Sequence, residues 1–207
     1  MPTGRANFAA AVVGGRLFAI GGHGAQLTGQ IHCQLSTVEA FDPQTGVWAA
    51  VAPMPSARCA ARAAVLDGKI YVVGGRNGTT RLATVEVYDP ATNAWSQAPP
   101  MGTARSGSGV EALGGKLYAA GGWDGTNRHS SVEVFDPQAN AWTPLAPMST
   151  ARDAFGMTAV QGKLYVAGGQ DGTNPLAIAE AYDPQPNRWE AVAPMAQARS
   201  TSGAVAI

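Results

Sequence analysis

The chain has 207 residues, 14 basic and 14 acidic, so its formal charge is zero, and its charged fraction of 14% is low beside the roughly 25% of typical soluble domains. That balance leaves no electrostatic footprint for nucleic acid. No apolar run approaches the roughly 18 residues of a membrane helix, and no charged segment followed by an apolar stretch opens the chain. Two cysteines, Cys33 and Cys59, are too few for a disulfide-held scaffold and exclude a four-cysteine metal site; a bridge between them is not expected.

The first unit of pattern already contains the whole plan. It runs from Arg5 through Phe18, Gly21-Gly22, Phe41 and Trp48, and the same order returns every 47 residues, with Val38–Trp48, Val85–Trp95, Val132–Trp142 and Ala179–Trp189 as near copies. Gly21-Gly22 and Arg5 stand 53 residues before their counterparts while Phe41 and Trp48 keep the 47-residue beat, which places an insertion of 6 residues between Gly22 and Val38. A fixed period of this size means repeated supersecondary units, each too small to bury its own apolar face.

The second unit shows the strands most plainly. Ala60–Leu66, Lys69–Val73, Val85–Tyr88 and Trp95–Gln97 are short runs bounded by turn residues, which predicts a four-stranded antiparallel meander. Asp67-Gly68 joins the first two strands, with Gly14-Gly15, Gly114-Gly115 and Gln161-Gly162 in the same place, as a two-residue hairpin requires. The third and fourth strands are joined by Asp-Pro followed by Asn93, Asn140, Asn187 or Gly46, residues that accept the left-handed position of a turn. All aromatic side chains except Phe8, Trp123 and Phe155 fall at three repeated positions, on the second strand, the third strand and the start of the fourth. They are read as packing between neighbouring sheets, each ring contributing about 2–3 kcal/mol on burial.

In the third and fourth units the repeated Arg105 and Arg152 open the first strand, as Arg5, Arg58 and Arg199 do elsewhere, and each unit has one Glu on its third strand: Glu39, Glu86, Glu133 and Glu180. Arg at the first strand, Gly-Gly ending the second, Tyr or Phe in the third and Trp in the fourth together resemble the kelch repeat, over essentially the whole chain. The resemblance implies an all-β fold, a β-propeller with four-stranded blades around a central channel. In one domain of residues 1–207 the units run about 5–57, 58–104, 105–151 and 152–198, with the start of a fifth at 199–207. Because Met1-Pro2 aligns with the internal Met54-Pro55 and the chain ends on a first strand, a segment of a larger propeller is expected, with a four-bladed ring as the alternative. Exposed end blades would favour self-association.

Function is expected on the end of the blades that carries the connections from fourth strand to next first strand and those from second to third strand: Arg76–Ala83, Trp123–Ser130, Gln170–Ala177 and the longer His23–Ser36. They vary from unit to unit on a rigid scaffold, which is where binding is usually built. The residues singled out are Arg76, Asn77, Trp123, Asn127, Arg128, His129, Gln170 and Asn174, with Trp123 beside Arg128 resembling an interface anchor. By resemblance to substrate-adaptor kelch domains, Arg58, Arg105 and Arg152 are candidates for a basic ring that grips acidic peptides; a structural ion pair with the Glu of each unit is the competing reading. The partner expected is a protein or peptide, with an acidic segment, and neither nucleic acid nor membrane.

An enzyme is not expected. His23, His32 and His129 form no ligand cluster, no metal or cofactor site emerges, and the tyrosines that a kelch copper oxidase would need sit at packing positions. A carbohydrate-directed enzyme or lectin-like domain is the alternative, with His23, Arg62, Glu111 or Asp153 as polar groups that nothing in their spacing distinguishes.

Overall fold

The computed structural model describes residues 1–24, 35–201 and 203–204. Cys33 and His32 lie outside these residues, as does most of the long first loop. The described chain is all-β, with no helix among the described residues. Four antiparallel sheets follow one another: β1–β4 (Ala9–Val13, Arg16–Ile20, Val38–Asp42, Val47–Val51), then β5, β6, β9 and β10 (Arg62–Leu66, Lys69–Val73, Val85–Asp89, Ala94–Ala98), with a small hairpin β7–β8 (Arg76–Asn77, Thr80–Arg81) between β6 and β9. Strands β11–β14 (Gly109–Leu113, Lys116–Ala120, Val132–Asp136, Ala141–Leu145) and β15–β18 (Gly156–Val160, Lys163–Ala167, Ala179–Asp183, Arg188–Val192) complete the series. These are propeller blades, and their innermost strands pack β1 on β5, β5 on β11 and β11 on β15. The β7–β8 hairpin lies within a stretch read from sequence as irregular loop.

Turn chemistry sets the register. Asp67 and Gly68 have φ of 50° and 73°, and Gln161 and Gly162 have 47° and 79°, the paired left-handed conformation that a tight hairpin needs to match strand twist. At the outer turns Asn93, Asn140 and Asn187 take φ of 52°, 49° and 51°.

The repeated residues are the seams between blades. Gly75 donates its N–H to the Arg105 carbonyl at 2.9 Å, Gly122 to Arg152 at 2.8 Å and Gly169 to Arg199 at 2.9 Å. The preceding glycine lies so close to that same carbonyl that a Cβ on Gly121 would sit 2.6 Å from the Arg152 oxygen. Glycine is therefore demanded by blade approach as well as by positive φ. The methionine of each Pro-Met pair fills the remaining gap, with Met54, Met101 and Met148 all buried. Trp95, Trp142 and Trp189 donate their indole N–H back to the preceding blade, at Ala52, Pro99 and Ala146 carbonyls, over 2.8–2.9 Å. Second-strand rings meet third-strand rings of the next blade, Phe18 with Tyr88 at 5.8 Å and Tyr118 with Tyr182 at 6.2 Å, so the aromatics do pack between sheets.

Of the remaining aromatics, Phe155 is buried at 1% exposure in the core between the last two blades, and Phe8 is half-buried at the channel mouth. Cys59 is buried and forms a backbone bridge to Arg76; the expectation about its pairing with Cys33 lies outside the described residues.

Candidate ligand-binding face

The connections from second to third strand start from one fixed frame. His23, Arg76, Trp123 and Gln170 each follow a Gly-Gly pair and each forms an isolated backbone bridge to the residue after the repeated Arg: Ala6, Cys59, Ser106 and Asp153. The backbone is the same four times and only the side chain changes, so this position presents variety from a rigid base.

Beyond that frame the loops tie themselves down. Asp124 accepts from the N–H groups of Thr126 and Asn127, both at 2.7 Å, and Asp171 from Thr173 and Asn174, both at 2.8 Å. Those amides hold the Asp124 and Asp171 carboxyls below the usual aspartate range, the Asn127 and Asn174 bonds contributing most. The second Asp124 oxygen lies 2.9 Å from His129 Nε2. Asn127 and Asn174 thus act through their backbones, and their side chains are exposed.

The loops also reach across blades. The Arg81 guanidinium lies 4.0 Å from the centroid of the Trp123 ring, and Arg128 lies 5.9 Å from the same ring. Arg128 Nε donates to Asp153 Oδ1 at 2.7 Å, and its guanidinium occupies the space where a Cβ on Gly172 would stand, 2.5 Å away. Arg81 lies against Gly125 in the corresponding way, at 3.7 Å. Arg81 and Arg128 are 47 residues apart, as are Gly125 and Gly172, so one device is used twice: an arginine from one loop rests on a glycine of the next. Sequence reading missed Arg81, although its place on the same beat as Arg128 was the available signal.

Charge on this face is uneven. Arg76 and Arg81 are directly opposed across β7–β8, an arrangement that is unfavourable for like charges. Their guanidinium groups donate within their own hairpin, Arg76 Nη1 to Gly78 O at 3.3 Å and Arg81 Nη1 to Thr79 O at 2.6 Å. Neither forms an ion pair among the described residues. Burial foremost, and then the Arg76 charge, holds the Arg81 guanidinium below its usual value, with Asp124 acting in the opposite sense. Arg128, by contrast, is neutralised by Asp153.

The structure thus gathers Arg76, Trp123, Arg128 and His129 with Arg81, places Asn77 exposed at the hairpin tip, and sets Gln170 and Asn174 on the next blade beyond Arg128. It does not gather Arg58, Arg105 and Arg152. These are 1%, 0% and 0% exposed, and they pair with Glu86 at 2.7 Å, Glu133 at 2.6 Å and Glu180 respectively. Each guanidinium also donates to carbonyls of its own blade, Arg105 to Gly121 at 2.6 Å and Ser131 at 3.1 Å. Burial lowers their pKa and the paired glutamates oppose it. A basic ring for acidic peptides is therefore replaced by a set of internal struts, because every donor that faces a partner faces one inside the blade. Of the four polar groups of the carbohydrate alternative, Asp153 is held by Arg128, and His23 contacts Asn7 and Gly24. Arg62 and Glu111 lie in the channel.

The Kelch motif is matched four times, at residues 4–55, 57–102, 104–149 and 151–196. This chain belongs to the kelch-repeat family. Among similar curated proteins, the influenza virus NS1A-binding protein homolog of Mus musculus is 41% identical over 78 residues, 38% of this chain and 11% of that protein. Kelch-like protein 35 of Homo sapiens is 42% identical over 72 residues, 35% of this chain and 11% of the relative. Kelch-like protein terF of Aspergillus terreus is 41% identical over 71 residues, 34% of this chain and 15% of the relative. The chain matches only a small part of each relative's length. The solved structure of YjhT superimposes with a TM-score of 0.84 at 20% identity, over 96% of this chain and 73% of that one, a likeness of fold.

Proposed function

We propose that this kelch chain is a non-catalytic binding module that recognises an acidic segment of a protein or peptide on its loop face. Arg76 and Arg81 meet the carboxylates, and Trp123 is the floor on which the Arg81 guanidinium is stacked. The observation that carries the reading is the opposed pair Arg76 and Arg81, held side by side with no ion pair among the described residues on a chain of zero net charge. Two like charges kept together at a cost are relieved by an anionic ligand, and the planar fork of arginine takes a carboxylate in two bonds. The family resemblance supports a protein partner, and one relative is named for binding the protein NS1A.

The test is a fluorescence anisotropy titration with a labelled Asp/Glu-rich decapeptide and a Lys-rich counterpart. The acidic peptide is expected to bind, and Arg76→Ala combined with Arg81→Ala to weaken it about tenfold or more while leaving the melting temperature unchanged. Equal affinity of the double variant, or equal binding of both peptides, would contradict the reading.

A further inference from the structure

The central channel holds two charged side chains that break the fourfold repetition. Repeated structural residues recur in every unit, as the Arg–Glu struts do. Arg62, by contrast, stands where the other units have Ala9, Gly109, Gly156 and Gly203, and Glu111 where they have Ala11, Ala64 and Thr158. Both line one cavity of about 500 Å³, with small side chains such as Ala10, Ala63 and Ala112 around them.

From this geometry we propose that the channel binds a small carboxylic acid with an apolar body and a distal hydroxyl, its carboxylate on Arg62 and its hydroxyl donating to Glu111. The Arg62 guanidinium has neither a hydrogen bond nor an ion pair among the described residues, although burial lowers its pKa. The residue is half-buried, so its guanidinium is partly desolvated yet still open to the cavity, and a carboxylate entering there gains a charged donor that no protein acceptor already holds. Glu111 accepts only the N–H of the adjoining Ala112, at 3.1 Å, and burial pushes its carboxyl up. Arg62 is on β5 and Glu111 on the adjacent β11, two residues beyond the counterpart of Arg62, or roughly 7 Å further along the channel. A cavity of this size with apolar walls and two polar points is the usual form of a small-molecule site. Arg62 also lines the narrower mouth, about 140 Å³, with Asn7, Ala60, Gly107, Ala154 and Thr201. There Ala60, Gly107, Ala154 and Thr201 each donate the backbone N–H to the carbonyl of the preceding member of the set, at 2.7–2.9 Å. Those four amides are thereby occupied, and the guanidinium stands beside them as a charged donor for an entering anion. This site is independent of the loop-face reading.

Calorimetric titration of the full chain with 4-hydroxybenzoate, benzoate and methyl 4-hydroxybenzoate tests it. We expect one site per chain, with 4-hydroxybenzoate bound more tightly than benzoate and the ester at least about tenfold more weakly. Arg62→Ala is expected to lose at least about tenfold in affinity, and Glu111→Ala to bring 4-hydroxybenzoate to the level of benzoate. Other units carry Ala or Gly in place of Arg62 and Ala or Thr in place of Glu111, so both variants are expected to fold; if Arg62→Ala does not, Arg62→Gln serves instead. Absence of saturable 4-hydroxybenzoate uptake by the wild type, unchanged affinity in the Arg62 variant, or loss of uptake in Arg76→Ala on the loop face would each overturn the proposal.

Discussion

Single residues in this chain are best understood against their copies. Asn93 Oδ1 accepts from the Ala52 N–H at 2.9 Å and from the Tyr88 hydroxyl at 2.8 Å. Asn187 does the same with Ala146 at 2.9 Å and Tyr182 at 2.7 Å, and burial of Tyr182 pushes its hydroxyl up to about 12. At Asn140 the corresponding partners are Pro99, which has no N–H, and Phe135, which has no hydroxyl. Glycine accepts the same left-handed turn, so Asn93→Gly and Asn187→Gly are each expected to lose about 1–2 kcal/mol in urea unfolding, and Asn140→Gly to lose less than about 0.5 kcal/mol. The same comparison explains an orphan. Glu133 accepts from Gly102 N–H at 2.6 Å and Glu180 from Ser149 N–H at 3.0 Å, but the corresponding residue for Glu86 is Pro55, and Glu86 Oε2 is left without a partner. Arg105→Ala would strand Glu133 in the blade and is expected to cost about 3–5 kcal/mol in the same assay, which makes it a stability variant and not a probe of binding.

Elements differ in what they demand of a residue. The hairpin glycines and the seam glycines share positive φ, yet a Cβ on Gly114 meets open space while one on Gly121 meets the Arg152 carbonyl, Phe155 and Met148. Gly114→Ala is accordingly expected to cost about 1 kcal/mol of backbone strain, and Gly121→Ala to lower the melting temperature several times further, by differential scanning calorimetry. On the loop face, the 124–127 and 171–174 turns depend on ionised aspartates. Their folded-state carboxyls are depressed, so the stabilisation is complete above the ordinary aspartate range and is lost as pH falls through the lower folded value. Amide resonances of Thr126, Asn127, Thr173 and Asn174 are expected to collapse toward random-coil shifts on acidification below about pH 4, before the blade strands respond; simultaneous loss would contradict a local role. Trp123→Ala is expected to free Arg81, weakening an acidic ligand without exposing a core.

At the scale of the molecule, the blade plan was legible because it was written four times: strand order, hairpin residues, aromatic packing and the seam glycines all recur. The Arg–Glu struts were legible only as alternatives, since one Arg and one Glu per unit fit either a ligand ring or an internal pair until their burial is known. Arg81 was hidden for the opposite reason, because its contact with Trp123 crosses from one unit to the next, and a repeat read unit by unit does not show what its neighbour touches. The symmetry-breaking residues Arg62 and Glu111 were visible, but only the channel brings them into one cavity. A rigid scaffold with variable loops underlies both proposed sites, and the proposed recognition of an acidic segment lies at the boundary of the second and third blades.

The most direct test of loop-face recognition is a ¹H–¹⁵N chemical-shift map of the labelled protein titrated with the Asp/Glu-rich decapeptide. The account predicts that shifts gather on Arg76, Asn77, Arg81, Arg128 and the Trp123 indole N–H, and leave the hairpin turns at Gly68, Gly115 and Gly162 unmoved. Shifts centred on those turns, or a uniform scatter over the blades with a silent Trp123, would contradict it.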